Sequence, residues 1–302
     1  MNILVIKLGA LGDFVQAMGP AAAIRKHHAG DRITLLTTAS YAELARAAPY
    51  FDHVLIDERP RLLDLAGWWR LRRMLRGGRF ARVYDLQTSD RSSFYHRLMG
   101  RPPWSGIARG ASLPHDNPER DRMHTLERQA DQLRRAGIAE VPPPDVSWAA
   151  LDIAPLALPE RLLLLVPGGA AHRPEKRWPI ENFAALAVLA ERHKWTPVVL
   201  GGPAERPLGA VIAERAAGAR DLTGRTRLGE IVALGRVAEY AVGNDTGPMH
   251  LLVAAGCPAT VLYSLASDPA LTAPRGDNVT ILRRPDLAGL GVAEVAATLG
   301  FR

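Results

Sequence analysis

Tyr240-Ala241-Val242-Gly243-Asn244-Asp245-Thr246-Gly247-Pro248-Met249-His250-Leu251-Leu252-Val253-Ala254-Ala255-Gly256 is the stretch whose reading decides the fold. A short apolar run at 240–242 meets a polar, glycine-containing turn, and a second apolar run follows it. That order reads as strand, tight loop, helix. Asp245 and Thr246 are suitable N-cap residues, Pro248 fits a first helical turn and Gly256 can end the helix. The first N–H groups of a helix lack intrahelical partners and sit at the positive end of its dipole, so such a loop suits a phosphate. Two readings stay open from these residues alone. One is an ordinary capped turn; the other is a cradle for the diphosphate of a nucleotide-activated donor.

Working outward, the same pattern recurs. Residues 2–7, 32–38, 53–56, 81–86 and 104–108 read as short apolar strands. Helices are predicted over 14–28, with Pro20 available to kink it, and over 41–47, 62–76 and 123–136. Residues 140–159 change character: Pro142-Pro143-Pro144, Pro155 and Pro159 break any regular element and mark a linker. Beyond them strands are predicted at 162–166, 197–200, 240–242 and 259–263, with helices near 180–193, 204–217 and 228–236. Apolar strands alternating with helices imply parallel, doubly wound sheets covered on both faces. The expectation is two α/β domains, 1–155 and 156–302.

Composition narrows the class. With 302 residues, 47% hydrophobic and 23% charged, the chain can build two ordinary cores. A single cysteine, Cys257, excludes an internal disulfide framework and a cysteine-rich metal site. The apolar run at 2–7 is too short for a signal-peptide core and has no basic leader, and no run reaches the ~20 residues of a membrane span. A cytoplasmic protein is expected. The net charge of +7 fits an anionic partner, whether nucleic acid, a membrane face or a phosphorylated substrate. Arginine is dense in the segment bounded by Arg59 and Arg82, which also holds Trp68 and Trp69; an anion-binding surface and a plain solvated arginine-rich face both fit it.

In open parallel sheets, ligands sit outside the carboxyl ends of the strands, so the loops leaving those ends are the candidates. The first carries Gly9, Gly12 and Asp13. It lacks the full dinucleotide fingerprint Gly-x-Gly-x-x-Gly, which disfavours a nicotinamide enzyme. Asp13 is either a helix N-cap or a carboxylate placed to take a proton from a hydroxyl. The loop at 167–179 sets Gly168 and Gly169 before His172, Arg173, Lys176 and Arg177, a cation-rich sequence that can neutralise phosphates. In Gly201-Gly202-Pro203-Ala204-Glu205, the glutamate either matches a helix dipole or accepts ribose or base hydrogen bonds. His250 either faces the ligand or packs inside.

Taken together, Ile6-Lys7-Leu8-Gly9-Ala10-Leu11-Gly12-Asp13, Lys176-Arg177-Trp178-Pro179, Leu200-Gly201-Gly202-Pro203-Ala204-Glu205 and Gly243-Asn244-Asp245-Thr246-Gly247-Pro248-Met249-His250-Leu251 resemble, in order and spacing, the ADP-heptose:lipopolysaccharide heptosyltransferases, glycosyltransferase family 9. The similarity covers nearly the whole chain. It implies a GT-B architecture, two facing Rossmann-like domains with the donor held mainly by the second, and inversion at the anomeric carbon without an essential metal or other cofactor. By motif match, Asp13 is the general base. Lys176 and Arg177 bind donor phosphates, Glu205 lies near the nucleoside, and Asp245, Thr246, Gly247 and His250 hold the diphosphate. The implied partners are a nucleotide-sugar donor, most simply ADP-heptose, and an anionic glycolipid acceptor (Kdo/heptose–lipid A) rather than nucleic acid. The 59–82 segment could touch that lipid or the inner-membrane surface. Where some family members carry small hydroxyl residues before the lysine, this chain has Ala170-Ala171-His172. A nucleotide-sugar epimerase of the same fold and a non-catalytic nucleotide-sugar or anionic-lipid binder are the competing functions.

Overall fold

The computed structural model describes residues 1–169 and 173–301. His172 of the cationic loop, with Ala170 and Ala171, therefore lies outside the described residues. The chain divides into two compact units, Met1–Trp148 and Ala149–Arg302. The division falls inside the proline-rich stretch 140–159, ahead of the boundary drawn at 155.

The first unit runs β1 (Asn2–Ile6), α1 (Leu11–Gln16), α2 (Met18–His27), β2 (Arg32–Thr37), α3 (Ala42–Ala47), β3 (His53–Ile56), α4 (Leu65–Gly77), β4 (Arg82–Asp85), α5 (Asp90–Leu98), β5 (Trp104–Gly106), β6 (Leu113–Pro114) and α6 (Thr125–Arg135). Its strands lie in the order β3-β2-β1-β4-β5-β6, all parallel. The second unit runs β7 (Leu162–Val166), α7 (Ile180–Arg192), β8 (Thr196–Val199), α8 (Arg206–Arg215), β9 (Arg220–Asp221), α9 (Leu228–Val237), β10 (Tyr240–Asn244), α10 (Gly247–Ala254), β11 (Ala259–Tyr263), α11 (Pro269–Thr272), β12 (Val279–Arg283) and α12 (Val292–Ala297). Its order, β12-β11-β10-β7-β8-β9, repeats the same winding, again all parallel.

Each sheet starts at its centre, grows one way through three strands, then returns and grows the other way. The central strands are continuous apolar runs because helices cover both faces. Leu162–Val166 and Ala259–Tyr263 are buried throughout, as are Ile3, Leu4, Val5 and Ile6 of β1. Where the winding reverses, neighbouring strands send their loops apart and leave a crevice. Those places are β1/β4 in one sheet and β7/β10 in the other. The registers Ile6↔Asp85 and Val166↔Gly243 set the loop origins side by side at these two points.

Several local expectations are corrected. The helix predicted over 14–28 is two helices that break at Ala17, three residues before Pro20. Proline there lies in the first turn of α2, where its missing N–H breaks no helical bond. The break lets α2 pack on the start of the proline-rich stretch so closely that a Cβ on Gly19 would lie 2.1 Å from the Pro142 carbonyl oxygen. Strand β10 continues to Asn244, two residues past its predicted end. The helix predicted from 62 begins at Leu65, because Asp64 caps it by accepting from the Gly67 N–H. Helices α5, α11 and α12 and strands β6, β9 and β12 had no counterpart among the expected elements.

Candidate active site

The second unit places most of the expected residues around one crevice. At the β7/β10 reversal, a cavity of about 330 Å3 is lined by Gly168, Gly169, Gly201, Glu205, Asp245 and Thr246, with Gly247 and Pro248 at the start of α10. Asn244, fully buried at the end of β10, holds the wall together. Its Oδ1 accepts from the Trp178 N–H at 2.9 Å, and its Nδ2 donates to the carbonyls of Pro167 (2.9 Å) and Gly168 (3.1 Å). One side chain thus ties both ends of the 167–179 loop to the adjacent strand. Trp178 completes the anchor by donating from Nε1 to Leu290 O at 2.8 Å.

Glu205 makes a local bond and also faces the cavity. Its Oε2 accepts from the Gly202 N–H at 2.8 Å, a local cap, while the side chain also lines the cavity. It lies so near that a Cβ on Gly168 would meet its Cγ at 2.8 Å and one on Gly201 its Cβ at 2.7 Å. These two glycines are therefore required by close approach. Thr246 occupies the N-cap position, but its side chain makes no cap bond. Among the described residues its buried Oγ1 has no hydrogen-bond partner. Asp245 does not cap the helix either. Its Oδ2 accepts from Lys176 Nζ at 3.0 Å and from Ser267 Oγ at 2.8 Å. Burial alone would raise the Asp245 pKa; the Ser267 and Lys176 hydrogen bonds outweigh it and hold the carboxyl below its ordinary value.

The expected cations reach this cavity through intermediaries. Lys176 sits behind Asp245, and Arg177 donates from Nη2 to Gly169 O at 2.7 Å, fixing a loop carbonyl. His250 is buried in α10, 7% exposed, and does not line the cavity. Gly256 has φ +94° and closes α10 as expected: its N–H bonds Val253 O while the Cys257 N–H bonds Leu252 O.

The first unit has a crevice of its own at the β1/β4 reversal, about 220 Å3 in volume, and Asp13 lines it. Asp13 is not an N-cap. Ala10 holds that position, and Asp13 is the third residue of α1. Among the described residues no donor bonds its carboxylate. Gly9 has φ +122°, and a Cβ there would lie 2.6 Å from a Tyr41 ring carbon, so the tight turn requires glycine. Gly12 is buried within α1. Three cations share the crevice with Asp13: Lys7, Arg120 and Arg128. Lys7, 4% exposed, donates from Nζ to Leu86 O at 3.1 Å. Burial pushes its pKa below the ordinary lysine value, opposed by the charges of Asp13 and Asp85. Arg120 donates to Thr88 Oγ1 at 2.7 Å. Burial likewise lowers the Arg128 pKa, with Arg120 adding to the shift and Asp13 opposing it.

Lys7, Arg120, Arg128, Asn244 and Ser267 had no role in the reading of the sequence. Lys7 carried a local signal, a charge closing an apolar strand whose neighbours are all buried. Asn244 stood in the quoted motif without a role of its own, and Arg120, Arg128 and Ser267 carried no signal, because the carboxylates they neighbour, Asp13 and Asp245, lie far from them in sequence. The arrangement offers, among the described residues, a carboxylate without a bonded donor amid cations in one unit and a glycine-walled pocket at a helix start in the other. A carboxylate of the first kind can accept a proton; a pocket of the second kind can hold an anion.

Comparison with known proteins agrees in kind. Residues 68–289, more than half of the chain, match the model of glycosyltransferase family 9 (heptosyltransferase). The lipooligosaccharide heptosyltransferase 2 of Haemophilus influenzae is 33% identical over 131 residues, spanning 42% of this chain and 38% of its own length. The lipopolysaccharide heptosyltransferase 2 of Salmonella typhimurium is 25% identical over 94% of this chain and 88% of its own. The solved structure of the Escherichia coli ADP-heptose lipopolysaccharide heptosyltransferase II has the same fold, with a TM-score of 0.80 at 22% identity over 99% of this chain and 97% of that one. With both halves of that fold built and the family model matched across the second cavity, this chain belongs to glycosyltransferase family 9, the heptosyltransferases.

Proposed function

We propose that this protein moves a heptose from ADP-heptose to a lipopolysaccharide-core acceptor, with inversion at the anomeric carbon. The observation that carries the reading is the second cavity, whose walls lie within the matched residues and whose chemistry suits a nucleoside diphosphate. In this reading the N–H groups opening α10 and the Thr246 hydroxyl receive the diphosphate. Glu205 lies beside the nucleoside, Arg177 fixes the 167–179 loop, and Lys176 supplies the charge that offsets both Asp245 and the donor phosphates. His250 backs the start of α10 from inside. As the anomeric carbon–oxygen bond to the diphosphate breaks, negative charge grows on the leaving ADP, and these fixed donors stabilise it without reorganising.

Asp13 lies outside the matched residues, and its role rests on the N-terminal motif and on its setting. It takes the proton of the acceptor hydroxyl as that oxygen attacks the anomeric carbon. Lys7, Arg120 and Arg128 meet the anionic groups of the acceptor. The first unit then serves the acceptor and the second the donor. An epimerase would need neither an acceptor nor this cationic crevice, and a non-catalytic binder would need no unbonded carboxylate. We place the enzyme in the cytoplasm, in contact with the anionic face of the inner membrane through the arginines of 59–82; among the described residues no helix is long and apolar enough to cross a membrane.

The test is mass spectrometry of lipopolysaccharide from a strain lacking the protein. A core short of one heptose, restored by the wild-type gene and not by one encoding Asp13→Asn, is expected. An unchanged core refutes the assignment.

A further inference from the structure

The segment 59–82 holds eight arginines and a single carboxylate, Asp64. It also concentrates the apolar surface of the first unit. Leu62 is 89% exposed, Leu63 93%, Leu65 79% and Trp69 57%, four large apolar side chains in eight consecutive positions. Such a cluster costs solubility unless something covers it.

The loop that presents these side chains is fixed from beneath. The Arg59 N–H donates to Asp57 Oδ1 at 2.8 Å, and Arg91 Nη2 donates to Pro60 O at 3.2 Å. The Asp64 N–H and Trp68 Nε1 both donate to Arg61 O, at 3.0 and 2.9 Å. The Asp57 carboxylate is buried and accepts from Tyr95 OH at 2.6 Å, and the Arg91 guanidinium lies 5.1 Å from the Trp68 ring centroid. The leucines are thus held outward by a pinned backbone, so little ordering remains to be lost when they are covered. Asp64, the one carboxylate, is spent on capping α4. Arg61, Arg70, Arg72, Arg73, Arg76 and Arg79 of the same segment are all exposed, the last two at the far end of α4.

We infer that Leu62, Leu63, Leu65 and Trp69 form a wedge that enters the headgroup region of an anionic bilayer, with the surrounding arginines on the lipid charge. This inference rests on the membrane contact proposed above and adds apolar insertion to it. Charge selects the occupant. A second copy of a chain with net charge +7 would bring another arginine cluster against this one, whereas anionic lipid neutralises it. Leucine and tryptophan beside cations on a helix and its leading loop are the pattern of a segment lying in the interface.

The test is sedimentation of the full chain with mixed phosphatidylethanolamine/phosphatidylglycerol vesicles, alongside phosphatidylcholine vesicles. The variant is Leu62→Ser with Leu63→Ser, whose side chains are almost wholly in solvent, so folding should be unaffected. Wild type should bind the anionic vesicles more tightly, and the double variant should lose at least about tenfold in partitioning. Transfer to a soluble, deacylated acceptor should be equal in the two proteins. Salt-sensitive binding that the double variant retains in full overturns the wedge while leaving an electrostatic membrane contact. No binding to anionic vesicles overturns both. Self-association that the double variant abolishes, without vesicle binding, assigns the surface to a second copy of the chain.

Discussion

The two crevices occupy the same place in two copies of the same winding, yet their carboxylates live differently. Asp245 in the second unit is tied to Lys176 and Ser267, and the loop beside it is tied down by Asn244 and Trp178. Asp13 in the first unit lines its crevice among three cations, with no donor on its carboxylate among the described residues. A satisfied, stapled pocket recognises a ligand without rearranging; an unsatisfied carboxylate is available to a proton that arrives with the substrate. In the transfer proposed here, one fold divides the work by how far each side chain is already bonded.

The largest effect should come from Asp13→Asn. This substitution keeps the shape and removes the base, so kcat should fall by about a thousandfold, within the range that a positioned base supplies. ADP affinity, measured by calorimetry, should stay within a few-fold of wild type. Equal losses in both quantities would merge the two crevices into one binding function and break the comparison.

Asn244→Ala tests the other side of it. Three hydrogen bonds vanish from a fully buried site, leaving two carbonyls and one N–H unpaired, at a cost of about 3–4 kcal/mol. The melting temperature should drop by roughly 6–16 °C. The loss should appear in thermal unfolding even without nucleotide, because the staple is part of the empty pocket. An unchanged melting curve would mean that the 167–179 loop is held elsewhere.

How much of this was legible follows from the same distinction. The sheets were read from the strands, because Leu162-Leu163-Leu164-Leu165-Val166 and Ala259-Thr260-Val261-Leu262-Tyr263 are apolar without alternation and can lie only between covering layers. Helix α5 was not, because its buried face is made of Ser92, Tyr95 and His96, which leaves no apolar period, and its Ser89/Ser92 capping box lacks the usual glutamate. Gly168, Gly169, Glu205, Asp245 and Thr246 were legible as loop chemistry following strands. The cationic company of Asp13 was not, since Arg120 and Arg128 lie more than a hundred residues along the chain and meet it only in space. His250 stood in a motif but is buried, and nothing local in the sequence separates the two cases.

Asp85, at the end of β4 beside the first crevice, and Asp245 in the second give the two units pH dependences of opposite sign. Burial pushes its pKa up to about 6 from an ordinary 3.8, against hydrogen bonds from the Thr88 N–H, Ser92 and the Gln87 N–H and the nearby Lys7 charge. Its folded-state value lies above its unfolded value, so the native protein binds the proton more tightly. Stability is then greatest below about pH 4 as far as this group is concerned, and is lost as pH rises through about 6, by about 3 kcal/mol. Asp245 contributes in the opposite sense: its lowered pKa adds stability above the ordinary carboxyl range, lost only in stronger acid. Urea midpoints of wild type and Asp85→Asn should diverge between pH 4 and 6, with the variant gaining at neutral pH. A constant difference across that range would remove Asp85 as the titrating group.

The smallest effect is also the sharpest test of how the second crevice is bonded. Lys176→Ala should weaken ADP binding about tenfold, the scale of one charge-assisted contact. Part of that loss, however, would come from leaving the partly buried Asp245 carboxylate beside an incoming diphosphate. Asp245→Asn in the same chain removes this repulsion while leaving an amide to bond Ser267. If Lys176 acts mainly by neutralising its partner, the double variant should bind ADP better than Lys176→Ala alone. If it binds phosphate directly, the double variant should be no better. The coupling between the two substitutions, read from four calorimetric titrations, separates these roles. Asp13→Ala in the first unit should leave that coupling unchanged, because the bonds that prepare the donor pocket are made within the second unit.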